Sequence, residues 1–483
     1  MHISSLPSAY GIGTFGLEAR RFVDFLCRSG QSYWQILPLC QTSFGDSPYQ
    51  SFSSFAGNPY FIDLDYLKDD GLLEAEDYED ADYQSTDDSI DYGRMYAVRY
   101  AILKKAVANF VEGDSYWAFL KKNAWVNDYA LFMAIKDHFG GCAWSDWPEE
   151  YRFLDKKAIA LFKKEHDKEI RFWKVIQHLF YKQWFSLKNY ANERGIQIIG
   201  DCPIYVAYDS VDCWKHPELF QLNKKKIPTK VAGCPPDYFS ELGQLWGNPL
   251  YKWKNHEKDD FAWWKKRVKF LCQIYDVLRI DHFRGIEAYY AIPFGRTDAK
   301  IGKWVKGPDM KLINALKKVV KDEQIIAEDL GQLTDATRLM LSKSGYPGMK
   351  VMEFAFGSGN QNEHLPYNIP YNFIVYLGTH DNEPIKAWIR NERSYEEQKF
   401  IMDCLDIEEI GEDFNWKMIR YMLSCGAKLT IVQAQDLLGL GMESRMNEPN
   451  TLGSNWKWRA RKNDFDEALA DKLRYITYLY GRD

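Results

Sequence analysis

Three short apolar runs in this chain lead into a carboxylate. Residues 275–280 lead into Asp281 in R-I-D-H-F-R-G, 324–327 into Glu328 in I-I-A-E-D-L-G, and 373–377 into Asp381 in L-G-T-H-D-N. A charge at the buried end of a strand is costly unless it is paired or put to use. Three in series constrain the fold strongly. The ends of parallel barrel strands bring side chains from distant segments to one mouth, where catalytic residues of such barrels gather. Four further runs read as strands, at 33–39, 196–199, 349–354 and 428–432. From Gly195 onward strand-like and helix-like stretches alternate, the pattern of parallel strands with helical crossovers. The expectation is an α/β chain, a (β/α)8 TIM-type barrel in one catalytic domain over residues 1–483. Seven strands are legible where eight are needed, and the first barrel strand reads as truncated unless another segment fills its place.

Two stretches interrupt the alternation. Residues 66–194 read as a mostly helical insertion, and 205–264 as a long aromatic loop punctuated by Pro and Gly. Loops of that length in compact proteins are usually functional. About fifty residues follow the last strand, too few for a C-terminal β-sandwich domain. The pattern Gly11-Ile12-Gly13-Thr14-Phe15-Gly16 matches a dinucleotide fingerprint in letters only. Ser- and Pro-rich sequence precedes it where the mechanism requires a strand, so it reads as a turn. Glu353 also follows an apolar run and reads as a structural, salt-bridged carboxylate.

The net charge of −6, with no basic stripe, excludes a nucleic-acid partner. Nine cysteines without a C-x-x-C pair read as free thiols of a reducing cytoplasm. No run approaches a membrane span. No H-E-x-x-H or G-x-S-x-G occurs, so neither a catalytic metal nor a serine nucleophile is expected, and no cofactor is required. The chain carries 17 Trp, 31 Tyr and 28 Phe. Such rings build a core, and they also stack on the apolar faces of sugars.

Two carboxylates flanking a glycosidic bond, one ionised and one protonated, are the equipment for cleaving it. Arg279 and His282 beside Asp281 would hold that group ionised, and the apolar approach to Glu328 would keep it protonated. His380, Asp381 and Asn382 are polar groups able to grip sugar hydroxyls.

The motifs taken together resemble the amylomaltases, the disproportionating 4-α-glucanotransferase family related to the α-amylases. The resemblance runs through G-D-S-P-Y-Q-S-F-S-S-F-A-G-N-P-Y at 45–60 and I-I-G-D-C-P-I-Y-V at 198–206. It continues in P-P-D-Y-F-S-E-L-G-Q-L-W-G-N-P-L-Y at 235–251, the three acidic motifs, and S-R-M-N-E-P-N-T-L-G-S-N-W at 444–456. It implies a retaining double displacement, with Asp281 as nucleophile, Glu328 as acid then base, and Asp381 distorting the sugar at the −1 subsite. By the same resemblance Ser47, Tyr49, Asp201, Arg279, His282, His380 and Asn382 bind substrate around it. Tyr238, Phe239 and Trp246 belong to a lid over the acceptor. The implied partners are α-1,4-glucans as donor and acceptor, handled by a monomer or weak oligomer. Departures from the family pattern include Gln41, Phe44, Cys202, Cys234, Gly357-Ser358, and Glu383-Pro384 after T-H-D-N. The same carboxylates would also serve an α-amylase-like hydrolase, or survive in a non-catalytic glucan-binding protein on an incomplete barrel.

Overall fold

A computed structural model describes the chain except residues 84–85, 237–239, 332 and 392. Eleven strands are described: β1 (Tyr33–Gln35), β2 (Gln197–Cys202), β3 (Lys230–Cys234), β4 (Gln244–Pro249), β5 (Val277–Ile280), β6 (Ala288–Pro293), β7 (Lys303–Lys306), β8 (Ile325–Ala327), β9 (Gly348–Val351), β10 (Phe373–Tyr376) and β11 (Leu429–Ile431). Each of the seven runs read from the sequence overlaps one of them. The strands β5, β8, β9 and β10 are almost wholly buried, while β1 and β11 are partly exposed. Parallel strands covered on both faces read as near-continuous apolar runs.

Parallel pairing gives the order β1-β2-β5-β8 in one sheet and β9-β10-β11 in a second. The Ala327 amide donates to Pro347 O at 2.9 Å, linking β8 to the approach of β9. Seven parallel strands therefore follow one another in an arc. Helices Asp167–Glu193, Ala262–Ile274, Met310–Leu316 and Asp335–Ser344 lead from one barrel strand toward the next, as right-handed crossover topology requires.

Among the described residues no pairing closes the arc: the seven strands counted in the sequence are all present, and an eighth is not. A cavity of about 440 Å³ lies between β11 and β1, lined by Tyr33, Gln35, Leu429 and Ile431 among others. No described strand fills it. The first two residues lie along β1 instead. The Met1 ammonium reaches Gln35 O at 3.4 Å, Trp34 Nε1 donates to Met1 O at 2.7 Å, and the Leu37 amide donates to His2 Nδ1 at 3.2 Å. Helix Glu467–Leu479 backs the same wall, tied to helix Leu17–Arg28 by Arg28 with Glu467 and Asp471 at 2.6 and 3.2 Å.

A third sheet, order β4-β3-β6-β7, is antiparallel throughout and was not foreseen. It joins the 205–264 excursion to the segment after β5. The described residues of 66–194 are mostly helical, and helices Trp125–His138 and Asp167–Glu193 pack extensively on each other. Gly11–Gly16 bends into helix Leu17–Arg28 with no strand before it, so the dinucleotide pattern is a turn. Most rings serve the core: Trp34, Trp144, Trp184, Trp214, Trp264 and Trp388 are among the largest fully buried side chains. All nine cysteines are free. Among the described residues no helix is long and apolar enough to cross a membrane.

Candidate active site

The ladder of β2, β5 and β8 sets the site. Asp201 pairs in register with Arg279, and Ile280 with Ala327. Asp281 and Glu328 are thus the next residues on adjacent strands. The backbone continues the ladder past their ends, with the Asp281 amide donating to Cys202 O at 3.0 Å and the Glu328 amide to Ile280 O at 3.0 Å. The period of two that points Asp201 into the barrel points Arg279 and Asp281 the same way.

Arg279 holds the carboxylates together. Its Nη1 donates to Asp201 Oδ2 at 2.6 Å and to Asp281 Oδ1 at 3.1 Å. The Tyr49 hydroxyl donates to the same Asp201 Oδ2 at 2.7 Å. The other Asp201 oxygen, Oδ1, is buried and has no hydrogen-bond partner among the described residues.

Glu328 accepts two backbone bonds, from His282 N at 2.6 Å and Leu330 N at 2.8 Å. His282 achieves this with φ of +47°, a left-handed conformation that costs a non-glycine residue free energy. That turn aims its amide at the carboxyl rather than along the strand. Burial raises the Asp281 carboxyl well above its ordinary range, with Arg279 opposing, and raises Glu328 against the same cation and its two amides. Two acids sharing one cation titrate as a pair.

The expected charge of His282 is not there. Burial, with Arg284 nearby, pushes its imidazole down to about 3, so it is neutral. The ring meets Trp246 edge-on at 4.9 Å. Among the described residues, Arg279 supplies the positive charge in contact with Asp281.

Asp381 is placed differently. β10 ends at Tyr376, so the carboxylate stands on a loop and is about half exposed. Asn447 Nδ2 donates to Asp381 Oδ1 at 2.6 Å, and His380 Nε2 lies 3.5 Å from the same oxygen. Asn382 faces back into its own turn: Oδ1 accepts from Thr379 N at 2.9 Å and Thr379 Oγ1 at 2.8 Å. Tyr49 stacks on His380 at 5.1 Å, and Trp456 closes against both rings at 5.9 and 5.8 Å. Ser47 Oγ accepts from the Tyr49 amide at 3.2 Å, setting the turn that carries this ring. Tyr238 and Phe239 lie outside the described residues, and Glu353 is almost wholly buried beside Gly378.

Asn447, Arg445 and Trp456 had no role assigned from sequence. They sit in an aperiodic polar loop, and their meaning comes from contacts some seventy to four hundred residues away. The quoted motif at 444–456 was the signal available.

A family model described as 4-alpha-glucanotransferase, glycoside hydrolase family 77, matches residues 1–464. The 4-alpha-glucanotransferase of Clostridium butyricum is 48% identical over 486 residues, covering all of both chains. That of Streptococcus pneumoniae is 45% identical, covering all of this chain and 96% of its own. Among solved structures, an amylomaltase from Streptococcus agalactiae in complex with acarbose superposes with a TM-score of 0.97 at 43% identity, over 100% of this chain and 98% of its own.

Proposed function

The chain belongs to the 4-alpha-glucanotransferases of glycoside hydrolase family 77, the amylomaltases, and from that premise we propose how its site moves a glucan. It is a 4-α-glucanotransferase acting on α-1,4-glucans. The observation that carries the mechanism is the register of β5 and β8, which makes Asp281 and Glu328 neighbours across one parallel pair. Adjacent strands lie about 4.8 Å apart. Carboxyls carried on neighbouring strands suit the roughly 5–5.5 Å of a retaining enzyme better than the roughly 6.5–9.5 Å of an inverting one.

Asp281 attacks the anomeric carbon while Glu328 gives its proton to the departing glycosidic oxygen. A β-glycosyl ester to Asp281 results. Glu328, now ionised, takes the proton of an acceptor 4-hydroxyl, which displaces the ester and restores the α-linkage. Arg279, in direct contact with Asp281, stabilises the carboxylate form that the attack requires. Asp201 Oδ1, buried and without a partner, is an acceptor suited to a sugar hydroxyl. Tyr49, His380 and Trp456 form an aromatic wall suited to a pyranose face.

Water competes with the acceptor for the ester. Trp246 and the loop carrying Tyr238 and Phe239 would exclude water and hold the acceptor in line, which is worth a large effective concentration. The enzyme works as a monomer or weak oligomer in a reducing cytoplasm, in keeping with nine free thiols. Maltotriose tests the reading. A ladder of longer maltooligosaccharides with glucose, at constant total reducing ends, and abolished by Glu328→Gln, is expected. Reducing ends that rise without elongation would make the enzyme a hydrolase. An unaffected Glu328→Gln variant would remove Glu328 from its role.

A further inference from the structure

Asp281 and Glu328 stand directly on strand ends, but Asp381 stands five residues beyond β10 on a half-exposed loop. A carboxylate that must grip a distorted sugar needs its backbone held within a fraction of an ångström. The turn Thr379–Asn382 fixes the loop internally, and something outside it must fix it against the barrel.

One guanidinium spans the gap. Arg445 Nη2 donates to Asp381 O at 3.0 Å, its Nε to Asn447 O at 3.0 Å, and its Nη1 to Glu383 Oε1 at 3.4 Å. The Asn447 so held donates from its side chain to the Asp381 carboxylate and from its amide to His380 O at 3.1 Å. Glu383 is buried, its side chain 10% exposed and its Oε2 accepting from Asn391 Nδ2 at 3.1 Å. Arg445 is 17% exposed. A rigid planar fork can hold three acceptors on two loops, which a lysine cannot. Glu383 is also one of the positions at which this chain departs from the family pattern.

We propose that Arg445, anchored by Glu383, is a positioning residue that locks the Asp381 loop to the 444–456 loop. The proposal rests on the reading of Asp381 as a substrate-gripping carboxylate. In that case the lock acts mainly on the transition state, because an unlocked Asp381 still meets the ground-state sugar but holds its distorted form poorly.

The test uses the full chain and maltotriose, with kcat, KM and thermal midpoint read together for Arg445→Ala, Arg445→Lys, Glu383→Gln, Glu383→Asp and Asp381→Asn. Arg445→Ala should lower kcat on the order of 10- to 100-fold with KM little changed, the cost of a small misplacement. Lysine should restore little of it, and free guanidinium, added well below unfolding concentrations, should restore part. Glu383→Gln should show a weaker loss in kcat that Glu383→Asp recovers. A raised KM with unchanged kcat would make Arg445 a direct sugar ligand and overturn the proposal. A lowered thermal midpoint with unchanged kcat would make it structural only, and overturn it equally. Full activity in Asp381→Asn would defeat the reading of Asp381 itself. An inactive Asp381→Asn beside fully active Arg445 variants would defeat the lock alone.

Discussion

Arg279 is the residue on which the site's electrostatics turn. One nitrogen serves two carboxylates, and the Arg279 and Asp201 side chains are only 5% and 1% exposed. Removing one member of a buried ion pair is costly, and Asp281 at 3.1 Å would remain as the weaker partner of Arg279. Asp201→Asn should therefore destabilise the fold by about 3 kcal/mol, read as a lower denaturant midpoint at unchanged slope. It should also lower kcat, since Arg279 would then be free to swing away from Asp281. An unchanged midpoint would mean that Asp201 does not hold Arg279. Asp281 and Glu328 were legible because each closes an apolar run, a pattern physics penalises without a purpose. The neutrality of His282 was not legible. Its neighbours in sequence are charged, and only the packed site shows how completely it is desolvated.

At the scale of elements, the seven parallel strands could be read because each lies in an apolar run, and the central ones, β5, β8, β9 and β10, are almost wholly buried. Their bounds shifted, as in the run at 349–354, which ends as a strand at Val351 and continues as a 3-10 turn. The antiparallel sheet of β3, β4, β6 and β7 escaped reading. Its strands are partly exposed and broken by Gly and Pro, and their pairing joins segments over fifty residues apart. Close packing also explains one glycine. A Cβ on Gly200, in the middle of β2, would stand 2.2 Å from the Tyr275 ring. That ring is buried, and its hydroxyl accepts from the Leu39 amide at 3.2 Å. Gly200→Ala should cost about 2 kcal/mol by overpacking and disturb Asp201 one residue on. Chemical denaturation measures the first effect and maltotriose turnover the second. A wild-type midpoint would show that the ring can yield.

For the whole molecule, acid is the main liability. Burial pulls the imidazoles of His178, His256 and His364 from an ordinary 6.5 down to about 4. Between those values the unfolded chain holds protons that the folded chain does not, so each must take up a proton to unfold, and stability drops as pH falls from 6.5 toward 4. Scanning calorimetry across that range should show a falling thermal midpoint. A midpoint that stays level would show that these rings keep their water in the folded chain.

Local chemistry determined a good part of this protein without any fold. Carboxylates at the ends of apolar runs specify a parallel strand array with an acidic mouth. Periodicity separates its strands from the helices, and the density of motifs names the family. Tertiary structure decided what depends on distance through space. The register that sets Asp281 beside Glu328, the desolvation that neutralises His282 and the loops bridged by Arg445 all arise between residues far apart in the chain. A sequence carries pattern along one dimension, whereas charge state and positioning depend on which groups exclude water from which others.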